Sequence, residues 1–350
     1  MSTSTREFAK QAMPEPLTIA LDGTPLAGPI GGIRRFTNEL LLALRSEFPA
    51  NNYVPVSDRF APIPTGLDQR WWAFGLNRAL TRLEAKVFHG TDFSVPYITR
   101  RPSVLTVHDL SPWLDPSPLS ARVRSRCGVL LRLRIPRFVH TPSETVRRQL
   151  LDRFSFPEGR VVTIPLAAAA HFEPGPSRAA EPHFLYLGTL ELRKNLDLLK
   201  QAIQLLAKRG IPAKLLLAGQ ARPGYQIPQD PSIVWIGPQE EGKLPELYRN
   251  ATAVLYPSRY EGFGLPVLEA MQCGAPVVAS DIPVLREAGG EAALYASPDS
   301  AEAWADRMAS LLTDAPLRKR HSLLGIDRAK MFSWRRTALA FQELYERCLR

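Results

Sequence analysis

The sequence has few of the cysteine and histidine residues that stabilise small folds through disulfides or bound metals. Its 350 residues include only three cysteines, Cys127, Cys273 and Cys348, which are odd in number and far apart. Neither a disulfide framework nor a CxxC metal site fits them. None of the six histidines has the spacing of a zinc motif, so we expect no bound metal. Stability must come from apolar burial, and a 45% apolar composition at this length indicates about two domains.

Long apolar runs are also missing from the chain. No window reaches the ~18 uninterrupted apolar residues that a membrane-spanning helix needs. Residues 1–16 are polar and contain no apolar signal-peptide core. We therefore expect them to form a disordered tail on a cytoplasmic protein.

Positive charge exceeds negative charge, with a formal net charge of +10. The most basic stretch, residues 121–137, contains six arginines and no acid. Such a segment fits phosphates on nucleic acid, on an anionic membrane surface or on a diphosphate-linked acceptor, or is an ordinary solvated helix face. No helix-turn-helix, zinc-finger or RNA-binding signature is found, so we expect no nucleic-acid partner. A peripheral position on the inner face of the cell membrane remains an expectation.

The first half of the chain alternates between strand and helix patterns. A helix with apolar residues at helical spacing follows Gly31-Gly32. Residues 50–80 are rich in proline and tryptophan and are interpreted as irregular, and the small, proline-bearing residues 166–182 predict a linker. Apolar runs predict strands at residues 17–21, 87–90, 103–107, 138–141 and 161–164.

The second half repeats this alternation, which predicts a parallel, doubly wound sheet. Strands are expected at residues 184–187, 214–218, 233–236, 253–256, 276–279 and 293–295. The fold class is therefore α/β, with two Rossmann-like domains, residues 17–170 and 183–332, facing across a cleft. A terminal helix over residues 333–350 carries an apolar stripe, from Trp334 to Cys348, which it need not bury in its own half.

Around Glu261 the sequence predicts an anion site. The strand 253–256 runs into a glycine-rich turn that holds Glu261, and Glu269 follows eight residues later in a helical pattern. Glycine lets a backbone approach a ligand closely, and the N-terminus of the helix attracts negative charge. A carboxylate on either side of an anion site suits a sugar joined to a diphosphate; the alternative is a strand–turn–helix with merely solvated or capping acids.

Three more motifs carry candidate chemistry. His108-Asp109-Leu110 follows a strand directly, where open α/β sheets bind ligands; the alternative is that His108 is a satisfied histidine in a loop. Gly31-Gly32 either lets a diphosphate or sugar approach the backbone closely or forms a plain tight turn. Gly188-Thr189-Leu190 precedes Arg193-Lys194-Asn195, whose basic pair in isolation is most often a solvated face.

In this order, these motifs and the terminal Phe332-Ser333-Trp334 segment resemble retaining glycosyltransferases of family 4 over nearly the whole chain. The resemblance implies the GT-B architecture, two Rossmann-like domains whose C-terminal helix crosses back onto the N-terminal domain. It implies a nucleotide-sugar donor, a GDP- or other nucleoside diphosphate sugar, used as substrate without any cofactor. Arg193-Lys194-Asn195 is similar to the subgroup that uses mannose or rhamnose donors for polysaccharide or O-antigen synthesis.

The resemblance also implies residue roles. Lys194 and Arg193 would neutralise the departing diphosphate in place of a metal, Glu261 would face the transferred sugar, and Glu269 would accept hydrogen bonds from the ribose. The catalytic set is Glu261, His108 and Lys194, and the acceptor-binding set is His108 and Asp109. The donor-binding set is Gly31, Gly32, Thr189, Arg193, Lys194, Phe263, Gly264, Leu265 and Glu269. Thr189 departs from the arginine that many relatives have there.

The expected activity is transfer of a hexose, with mannose favoured, to a glycan or lipid-linked acceptor with retention of anomeric configuration. Two other functions stay open. A nucleotide-sugar epimerase with this architecture would act on the donor without an acceptor, and a non-catalytic member would bind the nucleotide sugar without turnover.

Overall fold

A computed structural model describes residues 16–28, 31–60, 70–98, 100–115 and 117–350. Most of the tail predicted for residues 1–16 lies outside these ranges, as do residues 61–69. The first half contains six strands: β1 (Thr18–Asp22), β2 (Asn52–Val56), β3 (Val87–Gly90), β4 (Ser103–Thr106), β5 (Phe138–Thr141) and β6 (Val161–Thr163). Its helices are α1 (Gly32–Glu47), α2 (Leu76–Arg82), α3 (Pro118–Arg132) and α4 (Glu144–Arg153).

The second half contains a further six-stranded sheet. Its strands are β7 (His183–Leu187), β8 (Lys214–Ala218), β9 (Ile233–Gly237), β10 (Ala253–Tyr256), β11 (Val277–Ser280) and β12 (Leu294–Ala296). The helices that follow α4 are α5 (Leu196–Lys208), α6 (Leu244–Asn250), α7 (Leu265–Gln272), α8 (Pro283–Gly289), α9 (Ala301–Thr313), α10 (Ala315–Ala329) and α11 (Trp334–Leu349).

Both sheets are parallel and doubly wound, which confirms the predicted fold class. The strand orders are β2-β1-β3-β4-β5-β6 and β12-β11-β10-β7-β8-β9. In each sheet the connections run outward in both directions from a central strand pair, β1 with β3 and β10 with β7. Ligands of open α/β sheets bind at this switch point, beyond the carboxyl ends of the strands.

The interpretation of residues 50–80 as irregular was wrong for two segments. Residues 52–56 form β2, which pairs with β1 along its whole length, and residues 76–82 form α2. Pro55 obscures the strand pattern, but β2 is an edge strand, where proline is tolerated because no neighbour needs its missing N–H. A π-helical turn at Trp71–Gly75 precedes α2.

The C-terminal helix crosses back to the first half, as predicted. Ser333 caps it by accepting a hydrogen bond from the backbone N–H of Arg336. The helix packs on α1 and reaches β3 and β4. Its apolar stripe is buried there, and the Gln342 side chain accepts a hydrogen bond of 2.7 Å from the Tyr53 hydroxyl.

Beneath α11, buried polar groups form a continuous hydrogen-bonded chain. His89 lies 2.7 Å from both the Tyr345 hydroxyl and the Thr106 hydroxyl, and Thr106 lies 3.0 Å from Nδ1 of His140. His140 Nε2 donates to the Ile164 carbonyl at 2.9 Å. Because these groups are fully buried, such partners are needed to offset the cost of their desolvation.

We expect both imidazoles to stay neutral in the folded protein through pH 5. Burial lowers the pKa of His89 well below its ordinary value and lowers that of His140 to about 3. In the unfolded chain a histidine gains its proton near pH 6.5. The stability that each neutral ring contributes is therefore complete above about pH 6.5 and is lost as the pH falls toward the folded pKa. Ring ¹⁵N chemical shifts recorded between pH 7.5 and pH 5 measure this directly.

Ring chemical shifts are preferable to a curve of unfolding free energy against pH, because two nearby carboxyls change that free energy in the opposite direction as the pH falls. Burial raises the pKa of Asp22 to about 6 and that of Asp92 to about 7. The same protein in urea is the control, where both imidazoles should titrate near pH 6.5. Protonation of either ring in the folded protein between pH 7 and pH 6 would contradict the expectation.

Candidate active site

The candidate site lies at the switch point of the second sheet. Because β7 and β10 are neighbours, the loops that follow them meet at their carboxyl ends. The first loop carries Arg193 and Lys194, and the second carries Glu261. The tertiary structure therefore brings together side chains 67 residues apart in the sequence.

A buried ion-pair network joins these side chains. Lys194 Nζ donates to Glu261 Oε1 and, at 3.1 Å, to the Tyr256 hydroxyl. Arg193 lies 3.3 Å from the other Glu261 oxygen, and its Nε lies 2.7 Å from Glu191. Lys194 and Glu261 are buried, whereas Arg193 is partly exposed. Arg193 is thus the cation of this network that an incoming anion reaches most directly.

Burial and charge pairing act against each other in this network. Burial alone would raise the pKa of the Glu261 carboxyl, but Lys194 and Arg193 outweigh it and hold that pKa below its ordinary value. Burial lowers the pKa of Lys194, although Glu261 offsets part of the effect. Glu261 is therefore a carboxylate at neutral pH, able to counter positive charge on a bound ligand.

Asn195 holds the basic loop in place. It adopts a left-handed conformation, with φ 58°, which asparagine tolerates better than most residues. Its side chain donates to the carbonyls of Pro257 and Pro298, at 3.3 and 2.9 Å. The asparagine of the Arg193-Lys194-Asn195 motif thus ties the basic loop to the loop after β10.

Glu269 lies deeper than the Glu261 network and has protein partners. Its carboxylate accepts hydrogen bonds from Arg35 of α1 and, at 2.8 Å, from the Tyr248 hydroxyl. Arg35 also bonds Glu241 at 3.0 Å. Burial raises the pKa of Glu269 above its ordinary value, and the opposing effect of Arg35 offsets only part of that rise. The role of Glu269 toward a ribose stays a prediction, and a ribose would have to share this carboxylate with Arg35 or displace it.

His108 and Asp109 come from the opposite half, where β4 ends. His108 is half-buried against Phe36 and Phe93, and its Nε2 donates to the Thr91 carbonyl at 2.7 Å. Burial lowers its pKa, so the ring is neutral and its Nδ1 is left as an acceptor. Asp109 accepts hydrogen bonds from the backbone and hydroxyl of Ser111, at 2.8 and 2.6 Å, which shapes its own turn.

The close approach expected in the glycine-rich turn is made by the protein itself. A Cβ atom on Gly262 would lie 2.1 Å from the His108 carbonyl oxygen, so only glycine lets the two halves meet here. Gly264 has φ 103° and precedes α7, which begins at Leu265. The Phe263 ring is buried against Phe332, so at this position only the backbone is left to face a donor.

The remaining predicted donor residues lie around the cleft. Gly31 and Gly32 are exposed, and a Cβ atom on either would meet no atom within 4 Å. The approach of a sugar diphosphate to these glycines stays a prediction. Thr189 is exposed, and its carbonyl accepts a 2.9 Å hydrogen bond from the Tyr186 hydroxyl.

Several contacts between the halves escaped the sequence reasoning. The Tyr260 hydroxyl accepts from the Leu110 backbone N–H at 2.7 Å, and Ser143 donates to the Gly262 carbonyl at 2.7 Å. Glu287 accepts hydrogen bonds from the first N–H groups of α4, at 2.7 and 2.8 Å. Of these residues only Tyr260 could have been singled out from the sequence, because it is next to Glu261. The other contacts depend on which loops face each other in the fold.

The basic segment 121–137 is not one uniform basic face. Arg124 donates to the carbonyls of Pro112 and Asp115, and Arg126 bonds Ser94 and stacks over Trp72. Four arginines of the segment are exposed: Arg122, Arg132, Arg134 and Arg137. Within the described part of the chain, no helix is long and apolar enough to cross a bilayer, and no three His, Cys, Asp or Glu side chains cluster as metal ligands.

We expect Lys194→Met to destabilise the protein more than Lys194→Met combined with Glu261→Gln. The single change leaves a buried carboxylate without its closest cation, a loss of about 3–5 kcal/mol in the free energy of unfolding. The double variant removes the stranded charge and should recover part of that loss. Urea unfolding of the wild type, both single variants and the double variant measures the coupling.

Lys208→Met is the matched control, because Lys208 is exposed in the last turn of α5. It should change the free energy of unfolding by no more than about 0.5 kcal/mol. Additive effects of the Lys194 and Glu261 changes, within about 0.5 kcal/mol, would show that the pair is not coupled.

Comparison with known proteins agrees with this arrangement. Residues 30–168 match the model for Glycosyltransferase Family 4, and residues 169–323 match the model for Glycosyl transferases group 1. The chain is 33% identical to O-antigen chain mannosyltransferase B of Escherichia coli, over 73% of each chain. It is 27% identical to O-antigen chain mannosyltransferase RfbU of Salmonella typhimurium, over 67% of this chain and 68% of that one.

Solved structures share the fold at lower identity. HepE from Anabaena, in complex with UDP and glucose, superposes with a TM-score of 0.73 at 17% identity, covering 95% of this chain and 99% of that one. The two parallel sheets, the returning C-terminal helix and the matches over both halves lead to one conclusion: this chain belongs to glycosyltransferase family 4 and has the GT-B fold.

Proposed function

We propose that this glycosyltransferase moves a hexose, with mannose favoured, from a nucleoside diphosphate sugar to a glycan or lipid-linked acceptor, with retention of anomeric configuration. The observation that carries the proposal is the buried Glu261–Lys194–Arg193 network at the switch point of the second sheet. The similarity to two O-antigen chain mannosyltransferases favours mannose and an O-antigen type of glycan. The UDP and glucose bound to HepE support a nucleotide-sugar donor.

The charges of the network suit the breaking of a sugar–diphosphate bond. Negative charge grows on the departing diphosphate, and the partly exposed guanidinium of Arg193 is placed to stabilise it, with Lys194 behind. Glu261 is positioned to face the sugar as positive charge develops at its anomeric carbon. These cations would take the place of a metal, so we propose that transfer needs neither a metal nor a cofactor.

The neutral His108 is proposed to orient the donor sugar or the acceptor. Its lowered pKa makes it an acceptor of hydrogen bonds from hydroxyl groups at neutral pH. No protein base is required if an oxygen of the departing phosphate takes the proton of the acceptor hydroxyl. An epimerase would instead act on the donor alone, so the need for an acceptor separates the two activities.

We expect Glu261→Gln and Arg193→Met each to lower the rate of transfer about 10²–10³-fold, as loss of one charge-stabilising contact does. Glu261→Gln preserves the side-chain length, Arg193→Met keeps an unbranched stem, and each change removes one charge. The measurement is nucleoside diphosphate release from a panel of donors, with and without mannose-containing acceptors, and product anomers are assigned by NMR. Lys208→Met is again the matched control and should turn over at the wild-type rate.

Unchanged transfer in both variants with a productive donor would refute the proposed site. An inverted anomer would refute retention, and loss of activity in EDTA that Mg²⁺ or Mn²⁺ restores would refute metal independence. Isomerisation of the donor without acceptor would favour the epimerase.

We further propose that the segment 121–137 contacts an anionic membrane surface, where a lipid-linked acceptor would reside. Two exposed apolar residues, Val129 at 40% and Leu133 at 67%, are interspersed in the sequence with the exposed arginines of α3 and of the residues after it. Basic and apolar residues on one surface favour the interface of an anionic bilayer.

We expect weak cosedimentation with anionic phosphatidylglycerol vesicles that falls as salt rises from 50 to 300 mM, because counter-ions screen the attraction. Arg132→Gln combined with Leu133→Ser should reduce it further. Arg320→Gln removes an exposed charge elsewhere, on α10, and serves as the control. Equal sedimentation with neutral and anionic vesicles would contradict membrane attraction through this segment.

A further inference from the structure

A pocket of about 460 Å³ lies at the amino ends of strands in the second sheet. Its lining includes Pro182, Thr252 and Pro276, and each of these residues immediately precedes a strand, β7, β10 and β11 respectively. The three strands are neighbours in the sheet. The candidate active site lies at the carboxyl ends of β7 and β10, and a parallel strand of four residues is about 13 Å long. The pocket is therefore separate from that site, on the opposite edge of the sheet.

Three cations line this pocket: Arg249 in the last turn of α6, and Arg318 and Lys319 near the start of α10. Main-chain carbonyls hold both guanidinium groups in place. Arg318 donates through Nη1 to two carbonyls near the end of α9, at 2.6 and 2.9 Å, and Arg249 donates through Nη1 to the Glu173 carbonyl at 3.2 Å. The other N–H groups of each guanidinium are left to bind an anion. Among the described residues, no carboxylate forms an ion pair with any of the three cations.

The acids around the pocket are already engaged. Glu181 is the one acid among the described residues of the lining, and its carboxylate bonds Lys214, which lies outside the lining. Asp314 precedes α10 and caps it by accepting a hydrogen bond of 2.8 Å from the Leu317 backbone N–H. The pocket therefore keeps an excess of positive charge, as a site for a phosphate group requires.

The rest of the lining favours a phosphate ester with a small polar body. Hydroxyl groups come from Ser177, Thr252 and Ser322. The Asn250 side-chain oxygen accepts from the Arg178 backbone N–H at 2.7 Å, which leaves the amide nitrogen to donate. None of the described lining residues is aromatic, so a nucleobase would find no ring to stack on. A sugar phosphate suits this lining better than a nucleotide, and the volume is within the ~300–1,000 Å³ typical of small-ligand sites.

The pocket joins parts of the chain that lie far apart in the sequence. Residues 177–182, which line it in part, end the segment that connects β6 of the first half to β7 of the second. The remaining lining comes mainly from the end of α6 and from the end of α9 and the start of α10. An anion bound to Arg249 and Lys319 would therefore hold the connecting segment against these helices.

We infer that this pocket is a binding site for a small phosphate ester of the sugar phosphate class. Arg249, Arg318 and Lys319 hold the phosphate, and the hydroxyl and amide groups of the lining bind the sugar. None of these residues belongs to the candidate active site, so binding here does not depend on the proposed transfer reaction. The second sheet would then carry an anion site on each edge, and the occupied pocket would brace the connection between the halves.

Calorimetric titration of the full chain with inorganic phosphate, mannose 6-phosphate and GMP tests the site. We expect mannose 6-phosphate to bind most tightly of the three, and its affinity to fall as salt rises from 50 to 300 mM, because counter-ions screen the phosphate. Lys319→Gln combined with Arg249→Gln should weaken binding about 10-fold or more, through the loss of charge-assisted hydrogen bonds. Arg320→Gln is the matched control, because Arg320 is the exposed neighbour of Lys319 outside the lining.

Ala315→Glu gives a second test that keeps all three cations. It places a carboxylate in the lining, at the start of α10, where an acid is favourable for the helix and should preserve the fold. Binding of mannose 6-phosphate should weaken in this variant and stay unchanged in Arg193→Met, which alters only the candidate active site. Unchanged affinity in both Ala315→Glu and the double variant would overturn the inference.

Hydrogen exchange measured by mass spectrometry locates the bound ligand. Mannose 6-phosphate should protect backbone amides in residues 177–182, 249–252 and 315–322, and leave residues 189–195 and 261–269 unchanged. Protection confined to the latter two ranges would overturn the inference by placing the phosphate in the candidate active site. Binding of GMP as tight as that of mannose 6-phosphate would overturn the ligand class. Loss of binding to phosphatidylglycerol vesicles in Ala315→Glu, with no binding of soluble phosphates to the wild type, would assign the pocket to a lipid headgroup instead.

Discussion

The pairing of Glu261 with Lys194 is the interaction on which the candidate site depends. A buried carboxylate and a buried ammonium are each too costly alone, so each requires the other, and together they hold the loops after β7 and β10 at one distance. Arg193 extends the pair outward, where it contacts Glu191 and reaches a cavity between the halves. The charges that would stabilise a departing diphosphate are thus in place before a donor binds, which is how electrostatic catalysis avoids a reorganisation cost.

Contacts between the two halves impose the second constraint. Gly262 meets the backbone of His108, Tyr260 bonds the backbone of Leu110, and Arg35 reaches Glu269 from α1. Groups from both halves therefore surround the same cleft, as a reaction between two substrates requires. Arg35 also bonds Glu269, the carboxylate that the family resemblance assigns to the ribose of the donor. Donor binding and the relative position of the halves should therefore be linked.

Strand and helix patterns were readable where apolar periodicity was strong. The runs that end at Tyr256 and Thr141 coincide with β10 and β5, and Ser333 caps the last helix as expected. The pattern failed at β2, whose proline is tolerable only because the strand lies at an edge, and edge position is a property of the sheet. The basic segment shows the same limit, because Arg124 and Arg126 turn inward to partners that the linear sequence does not reveal.

Apolar periodicity and motif spacing are local properties, so the fold class, the family and the positions of the acidic and basic motifs were readable from the amino-acid order. The contacts of those motifs depend on the tertiary structure. It paired Glu261 with Lys194, placed Glu269 against Arg35 and Tyr248, and buried the Phe263 ring against Phe332. The side chains that meet in these contacts are 21 to 234 positions apart, and their partners follow from strand order and from the packing of one half on the other, which no local pattern encodes.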